Sequence, residues 1–500
     1  MSDRDGKSLE NIHLRLRNMK FFNLITLCVI AGMSSACILK DPVDADADAD
    51  ASPATISDAK QLQPKASSEE RVSLLFSELS RKATNNFTKP VKIDKNLNFF
   101  NAVHSAVKAS PQIERAAQQV LSAWFGKDIA VSGKKVQFKA SGGVGVSAER
   151  KNSATTDTAG ATISVQGAIV LFDGGLIDSQ IDASEAQYLV AETNLDVESE
   201  QIAYDSASAW IKLWSATQAQ DLLSKNKGEI DAVKSQLEIL KTTGILNVGE
   251  FANIESKMND LALTEQKTQQ LMNLAKADFR LYFGDVTQSL RAPPLSKLIS
   301  RKTKFGSVNL PTLKKLLLEQ AIAKFRVNET KASLKPTVKS VASLSSPQNV
   351  NGSSNAKIGI FVDYIIGDGG RRVASSAAAE ADFLGLEAEI GHQLKVAEVA
   401  FNTAKTRLNS NQSLIKMSSK KIKLLDEQIK TATSQKTLGQ TAIQKLFALK
   451  IEKFDAQMDL TKLRGETYIA ALDLNLASGS LLNLFDLWCP FRWSKKFETE

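Results

Sequence analysis

The chain has 500 residues, of which 6% are aromatic and three are cysteine, with a formal charge of +8. So few cysteines exclude a disulfide framework, and so few aromatics argue against large compact cores in favour of extended helices. Lys and Glu are interleaved through the helical stretches instead of forming a basic arm, which argues against a nucleic-acid partner.

The chain opens on a basic segment ending RLRNMK, followed by FFNLITLCVIAGMSSAC. The apolar part is short for a membrane span and ends in small residues, so 1 to 37 reads as a secretion signal segment. Cys37 follows Ser34, Ser35 and Ala36 and is a candidate lipidation position, although Ser34 stands where a lipoprotein signal usually has Leu. Cys28 would leave with the signal, and Cys489 reads as a small apolar residue. Residues 38 to 70, including DADADADASPA, form a flexible N-terminal tether.

Helical periodicity begins at about 75 to 90 and continues from 97 to 126, where Pro111 bends or restarts the helix. Strands are expected at about 135 to 148 and 162 to 172, with RKNSATTDTAG between them as an exposed hairpin loop. Ile163, Val165, Gly167, Ile169 and Leu171 share one parity, with Ser164 and Gln166 on the other. LFDGG, 171 to 175, then turns into a helix from about 175 to 243 without an intervening Pro. At 1.5 Å per residue this is a rod of about 100 Å. A return helix runs from 245 to 283, completing a first structural repeat over 71 to 290.

The pattern then recurs. Gly174 and Gly175 are matched by Gly369 and Gly370, Leu213 by Leu408, Gly244 by Gly439 and Gly284 by Gly479, each 195 residues later. After a linker or equatorial segment at 291 to 309, the second repeat (310 to 484) comprises a helix at 310 to 333, strands at 336 to 345 and 356 to 366, and helices at 371 to 437 and 441 to 480. PQNVNGSSN is its external loop, and residues 485 to 500 form a tail. The helices at 97 to 126 and 310 to 333 have the lengths needed to stack end to end on the two return helices. Asp173 and Asp368 stand where a side chain can cap the following rod, and Gly174, Gly175, Gly369 and Gly370 where the chain bends from strand into helix.

This duplicated strand-to-rod organisation, with LFDGG, GDGG and the tip turns KTTGILNVGEF and QKTLGQTAIQKL, resembles the TolC family of bacterial outer-membrane factors over residues 97 to 484. The resemblance implies a mixed α and β membrane protein: a homotrimer whose 12-stranded transmembrane β-barrel, four strands per subunit, continues as a long α-helical periplasmic tunnel. Lys139, Gln166 and Asp363 would face the barrel lumen, and the apolar parity would face outer-membrane lipid. It further implies a passive export duct docked on a periplasmic adaptor and an inner-membrane RND or ABC-type transporter, for small-molecule efflux or type I protein secretion. Gly244, Gly249 and Gly439 mark the hairpin tips that would meet the adaptor, or serve simple hairpin geometry.

Family members carry acidic residues six and nine places beyond the second turn Gly. This chain has Lys445 and Ala448 there, and Glu250 in the first hairpin, so Glu250 and Lys445 are the tunnel-tip charges, as an ion pair or as ordinary solvated side chains. No catalytic, cofactor or metal site is expected: His13, His104 and His392 are scattered, and GDGGRR lacks the Lys-Ser/Thr ending of a phosphate loop. The alternative is a secreted structural coiled-coil protein without channel activity.

Overall fold

The computed structural model describes residues 73, 75–81, 98–151, 154–243, 248–285, 290–299, 305–306, 309–346, 354–435 and 440–487. Cys37, the tether at 38–70, the tip residues Gly244 and Gly439, the loop at 347–353 and the tail from 488 onwards lie outside the described residues. The chain divides into Met1–Thr84 and Asn85–Glu500. Residues 75–81 of the first unit are helical.

In the second unit the elements are α1 (Phe99–Lys108), α2 (Pro111–Ser132), β1 (Gln137–Lys151), β2 (Ala154–Phe172), α3 (Leu176–Thr242), α4 (Val248–Phe283), α5 (Leu295–Leu298), α6 (Pro311–Ala332), β3 (Thr337–Ser345), β4 (Asn355–Asp363), α7 (Arg371–Gln435), α8 (Gln440–Ala477) and α9 (Leu481–Leu484). Pro111 restarts the helix instead of bending it. Its missing N–H is harmless at the first helical position, and Ser110 Oγ accepts from Gln112 N at 3.3 Å.

The long helices form a row of four rods whose order can be traced by polar pairs. Arg115 meets Glu198 at 3.5 Å, Lys127 meets Glu185 and Lys134 meets Asp178, so α2 runs antiparallel along the first half of α3. Lys212 meets Asp278 at 3.5 Å and Lys227 meets Glu265 at 2.8 Å, so α4 occupies the second half. On the other side of α3, Gln180 meets Glu329 of α6, whereas Glu229 meets Lys450 of α8. Finally α7 lies beyond that pair, through Lys331–Glu380 at 2.6 Å and Lys421–Glu452 at 3.0 Å.

Where the short helices abut, a shared core closes the seam. Phe99 of α1, Trp210 of α3, Phe279 and Phe283 of α4, Leu298 and Phe485 are all buried there. Trp210 Nε1 donates to Arg291 O at 3.1 Å and Asn475 Nδ2 to Leu298 O at 2.7 Å, which fastens the 290–299 segment across the rods as a belt. Nearer the tips, Leu223, Ile230 and Leu237 pack with Leu261, Phe447 and Phe454.

The strands form one antiparallel sheet in the order β1-β2-β3-β4. Three expectations need correction. Residues 150–160 are mostly not a loop: β1 continues to Lys151 and β2 starts at Ala154, with Arg150 paired to Thr155 and Glu149 to Thr156. Threonines at 155, 156 and 158 are β-branched and suit an extended ladder, so small polar residues here lengthen the hairpin. Leu171 does not continue the alternation, because the register shifts between Val170 and Phe172 and Phe172 takes the position opposite Val338. At the other end β4 stops at Asp363, leaving Tyr364, Ile365 and Ile366 beyond the ladder.

Candidate functional site

Partners across an antiparallel ladder point to the same side, so register assigns the faces of the sheet. One side carries, in line across four strands, Phe138, Gly167, Ala342 and Ile358, then Ala140, Val165, Leu344 and Ala356. Its large apolar groups are uncovered: Phe138 is 74% exposed, Ile163 63%, Ile358 85% and Ile360 68%. Single exposed apolar residues are ordinary, but an uncovered row on one sheet face is a surface built for an apolar neighbour.

The opposite side carries Lys139, Gln166, Ser343 and Lys357 in line, followed by Ser141, Ser164, Ser345 and Asn355. Ser141 Oγ and Ser164 Oγ are 2.8 Å apart. Asp363 pairs with Thr337 on this side, and its carboxylate lies 3.6 Å from Lys339 Nζ. Lys139, Gln166 and Asp363 therefore share one polar face. Towards the rods Ala168 with Val341, and Val170 and Phe361 on either side of Lys339, interrupt it.

β2 and β4 each pass into a rod through Asp-Gly-Gly. In the first junction Asp173 accepts from Gly175 N at 2.9 Å and Ile177 N at 2.7 Å. In the second Asp368 accepts from Gly370 N and Arg372 N, both at 3.1 Å. Gly174, Gly175, Gly369 and Gly370 have φ of 72°, 93°, 68° and 86°, a region that L side chains avoid, so the double glycine is a backbone requirement. The sequence reading missed Arg372. Its guanidinium donates to Asp368 Oδ2 at 2.8 Å, to Ser333 O at 2.8 Å and to Ile365 O at 2.6 Å, and this contact holds the Asp368 carboxyl below its usual range. The i, i+4 spacing of Asp368 and Arg372 was the available signal.

At the far end of the rods, Gly249 and Glu250 lie in the first turn of α4 and Lys445 in the first turns of α8. Gly249 and Lys445 are exposed and Glu250 is half-buried. The structure brings Glu250 and Lys445 to one cleft of about 580 Å³ between these helices, with Lys257, Glu452 and Asp455. Burial pushes the Asp455 carboxyl up, against the pull of Lys257. Lys241 Nζ sits 3.7 Å from the Phe251 ring centroid and ties the end of α3 to the start of α4.

Among the described residues no group of three or more His, Cys, Asp or Glu side chains is placed to hold a metal ion, and no helix is long and apolar enough to cross a membrane. Neither fact bears on a β-barrel.

No protein-family model and no curated protein matches the sequence. Solved structures do match. The outer membrane protein VceC of Vibrio cholerae superposes with a TM-score of 0.67 at 15% identity, covering 76% of this chain and 96% of that one. The CmeC outer membrane channel of Campylobacter jejuni gives 0.66 at 11% identity, covering 77% and 86%. CusC, described in connection with transmembrane channel formation, gives 0.66 at 15% identity, covering 78% and 93%. The chain has the fold of the TolC-type outer-membrane channels, with their four-stranded antiparallel sheet and long duplicated helices.

Proposed function

We propose that this chain is one subunit of a homotrimeric outer-membrane exit duct. The observation that carries the reading is the sheet: β1 and β4 have a free hydrogen-bonding edge within one chain, and one face presents an uncovered apolar row while the other is polar. Lipid satisfies neither a strand edge nor a polar face. Three copies pairing β1 of one with β4 of the next remove every edge and give twelve strands, with Lys139, Gln166, Lys357 and Asp363 around a wet lumen. The rods, continued from the same sheet, form a periplasmic tunnel.

The duct does no chemistry. Its polar lining lets solutes pass without paying desolvation, and the direction of transport comes from an energised RND or ABC-type inner-membrane transporter joined through a periplasmic adaptor. The hairpin tips around Gly244, Gly249 and Gly439 are the docking surface, and Glu250 and Lys445 are the charges at the entrance. Three copies of Lys445 near the axis would disfavour cations there. Cys37 is the lipid-attachment position. Small molecules and unfolded secreted protein are both compatible cargo.

Planar bilayers test this reading. Detergent-extracted trimer is expected to insert and give discrete conductance steps, with Lys445→Glu raising cation selectivity. A folded, elongated species that never conducts would instead support a secreted coiled-coil protein.

A further inference from the structure

A second feature lies midway along the rods, away from sheet and tips. Glu200 of α3 is 5% exposed and its Oε1 has no hydrogen-bond partner. It lines a cleft of about 870 Å³ bounded by α3, α6, α7 and α8. Asp473, Leu476 and Ala477 of α8 border this cleft. Asn475, which holds the 290–299 belt, is two residues from Asp473 and so about 200° away around the helix. The cleft and the belt are thus on opposite faces of the rod layer.

The walls are apolar, from Leu313 and Leu316 of α6, Val396 and Ala400 of α7 and Leu476 of α8. The charged groups facing the cleft are Glu200, Lys315, Glu319, Glu389, Arg407 and Asp473. The two cations are already engaged: Lys315 Nζ donates to Asn194 Oδ1 at 2.9 Å, and Arg407 lies 3.6 Å from Asp473 Oδ2. Tyr204 completes Asp473 with a 2.6 Å hydrogen bond, and Gln393 donates to Glu389 at 2.7 Å. Glu200 and Glu319 are left without such a partner, and of the two Glu200 is the buried one. Asp196, one turn earlier on α3, adds negative charge, and Lys314 acts on Asp196.

A buried carboxylate oxygen with no donor is costly, and a cleft of this size, walled by apolar side chains with a few charged groups among them, has the makings of a small-molecule site. A metal ion does not fit, since no three ligating side chains converge. We infer that this cleft binds a small organic cation, an ammonium or guanidinium donating to Glu200 with an apolar body laid along Leu313, Leu316 and Val396. The inference rests on the geometry of one subunit and stands apart from the export reading.

A proton competes for the same carboxylate. Burial, helped by Asp196, pushes the Glu200 carboxyl up to about 7. The carboxyl is therefore mostly ionised at pH 8 and mostly protonated at pH 6, so cation affinity falls roughly tenfold between them.

The probe is 2-phenylethylammonium, with 2-phenylethanol as neutral and 3-phenylpropionate as anionic counterparts, followed by ligand-observed NMR on the full chain in detergent. At pH 8 the ammonium is expected to bind saturably and at least tenfold more tightly than either counterpart. Glu200→Gln should abolish that preference and flatten the pH dependence. Val396→Trp, which fills the cleft from its rim and leaves Glu200 intact, should weaken binding by a similar factor and carries the test if Glu200→Gln fails to fold. Absence of saturable binding, equal affinity for the alcohol, or binding that survives the substitution in folded protein overturns the inference.

Discussion

The two long helices are copies of one another in sequence, yet they live in different surroundings. α3 has 67 residues and α7 has 65. Positions 195 apart are buried in both where the helices share a kind of neighbour: Ala209 and Ala404, Leu213 and Leu408, Ile230 and Leu425, Leu237 and Ala432. Elsewhere they diverge. α3 has rods on both sides, whereas α7 has α6 and α8 on one side and exposes Leu384, Val399 and Met417, at 59%, 64% and 68%. Helical period is the same in both, so position in the row decides which apolar residues are covered within a single chain. The uncovered flank of α7 is where the proposed trimer places the α2 and α4 rod of the next subunit, itself exposing Ile129, Leu271 and Leu281.

The largest expected difference follows directly. Leu237→Ala, at a side chain with no exposure, should cost about 2–5 kcal/mol of subunit stability through lost burial and a residual cavity. Leu384→Glu should leave helicity and subunit stability within roughly 0.5 kcal/mol but shift trimer towards monomer. Thermal unfolding and native mass spectrometry separate the two; a Leu384 variant that unfolds like the Leu237 variant would erase the distinction between inner and outer rod.

The strand-to-rod junctions differ in the same sense. A Cβ on Gly174 would lie 2.7 Å from Lys335 Cδ, 2.8 Å from Lys335 Cβ and 3.2 Å from Ala332 O, while one on Gly369 would meet nothing within 4 Å. Gly369→Ala should therefore lose only the positive-φ preference, about 1–2 kcal/mol. Gly174→Ala adds overpacking and should lose about 2–4 kcal/mol in thermal unfolding. Equal losses would mean that the first junction yields freely around Lys335.

Much of this was legible because it repeats. Gly174-Gly175 and Gly369-Gly370 mark the same backbone event twice, and the alternation from Ile163 to Ile169 and from Ile358 to Val362 marks one sheet face twice. What escaped depends on partners distant in sequence. Thr155 and Thr156 read as loop until Arg150 and Glu149 are found opposite them, and Leu171 fits the alternation until Val338 is paired with Phe172. Nothing in the sequence sets Glu200 apart from the other charges along a rod, because its burial depends on α6, α7 and α8 packing around α3. Its repeat counterpart, Lys395, is exposed on the outer rod.

That contrast has a pH signature. The folded Glu200 carboxyl sits at about 7 against an ordinary 4.5, and Asp196 at about 6 against 3.8, both raised first by burial. An acid whose folded pKa is raised binds its proton better in the folded state, so the stability these two contribute is highest at low pH and falls as pH rises, through about 3.8 to 6 for Asp196 and about 4.5 to 7 for Glu200. Glu200→Gln should recover on the order of 2 kcal/mol at pH 8 and nothing at pH 4, whereas Lys395→Gln should change neither by more than about 0.5 kcal/mol. Thermal unfolding at the two pH values decides it, and a Glu200 variant no more stable at pH 8 than the parent would mean that water still reaches the carboxylate.

The smallest effect concerns the caps. Asp173 makes two main-chain hydrogen bonds, and Asp173→Ala should cost about 1 kcal/mol, the ordinary value of a helix cap. Asp368 makes two similar bonds and also orients Arg372, whose guanidinium reaches the carbonyl of Ser333 at the end of α6 and that of Ile365 just before the junction. Asp368→Ala should therefore cost more than Asp173→Ala, and Arg372→Gln should remove the excess. Hydrogen exchange at the amides of each junction reads them separately: faster exchange confined to Gly175 and Ile177 is expected in the first variant, and at Gly370 and Arg372 together with the end of β4 in the second. If Asp368→Ala leaves the end of β4 as protected as before, Arg372 is an adornment of the helix and does not join it to the sheet.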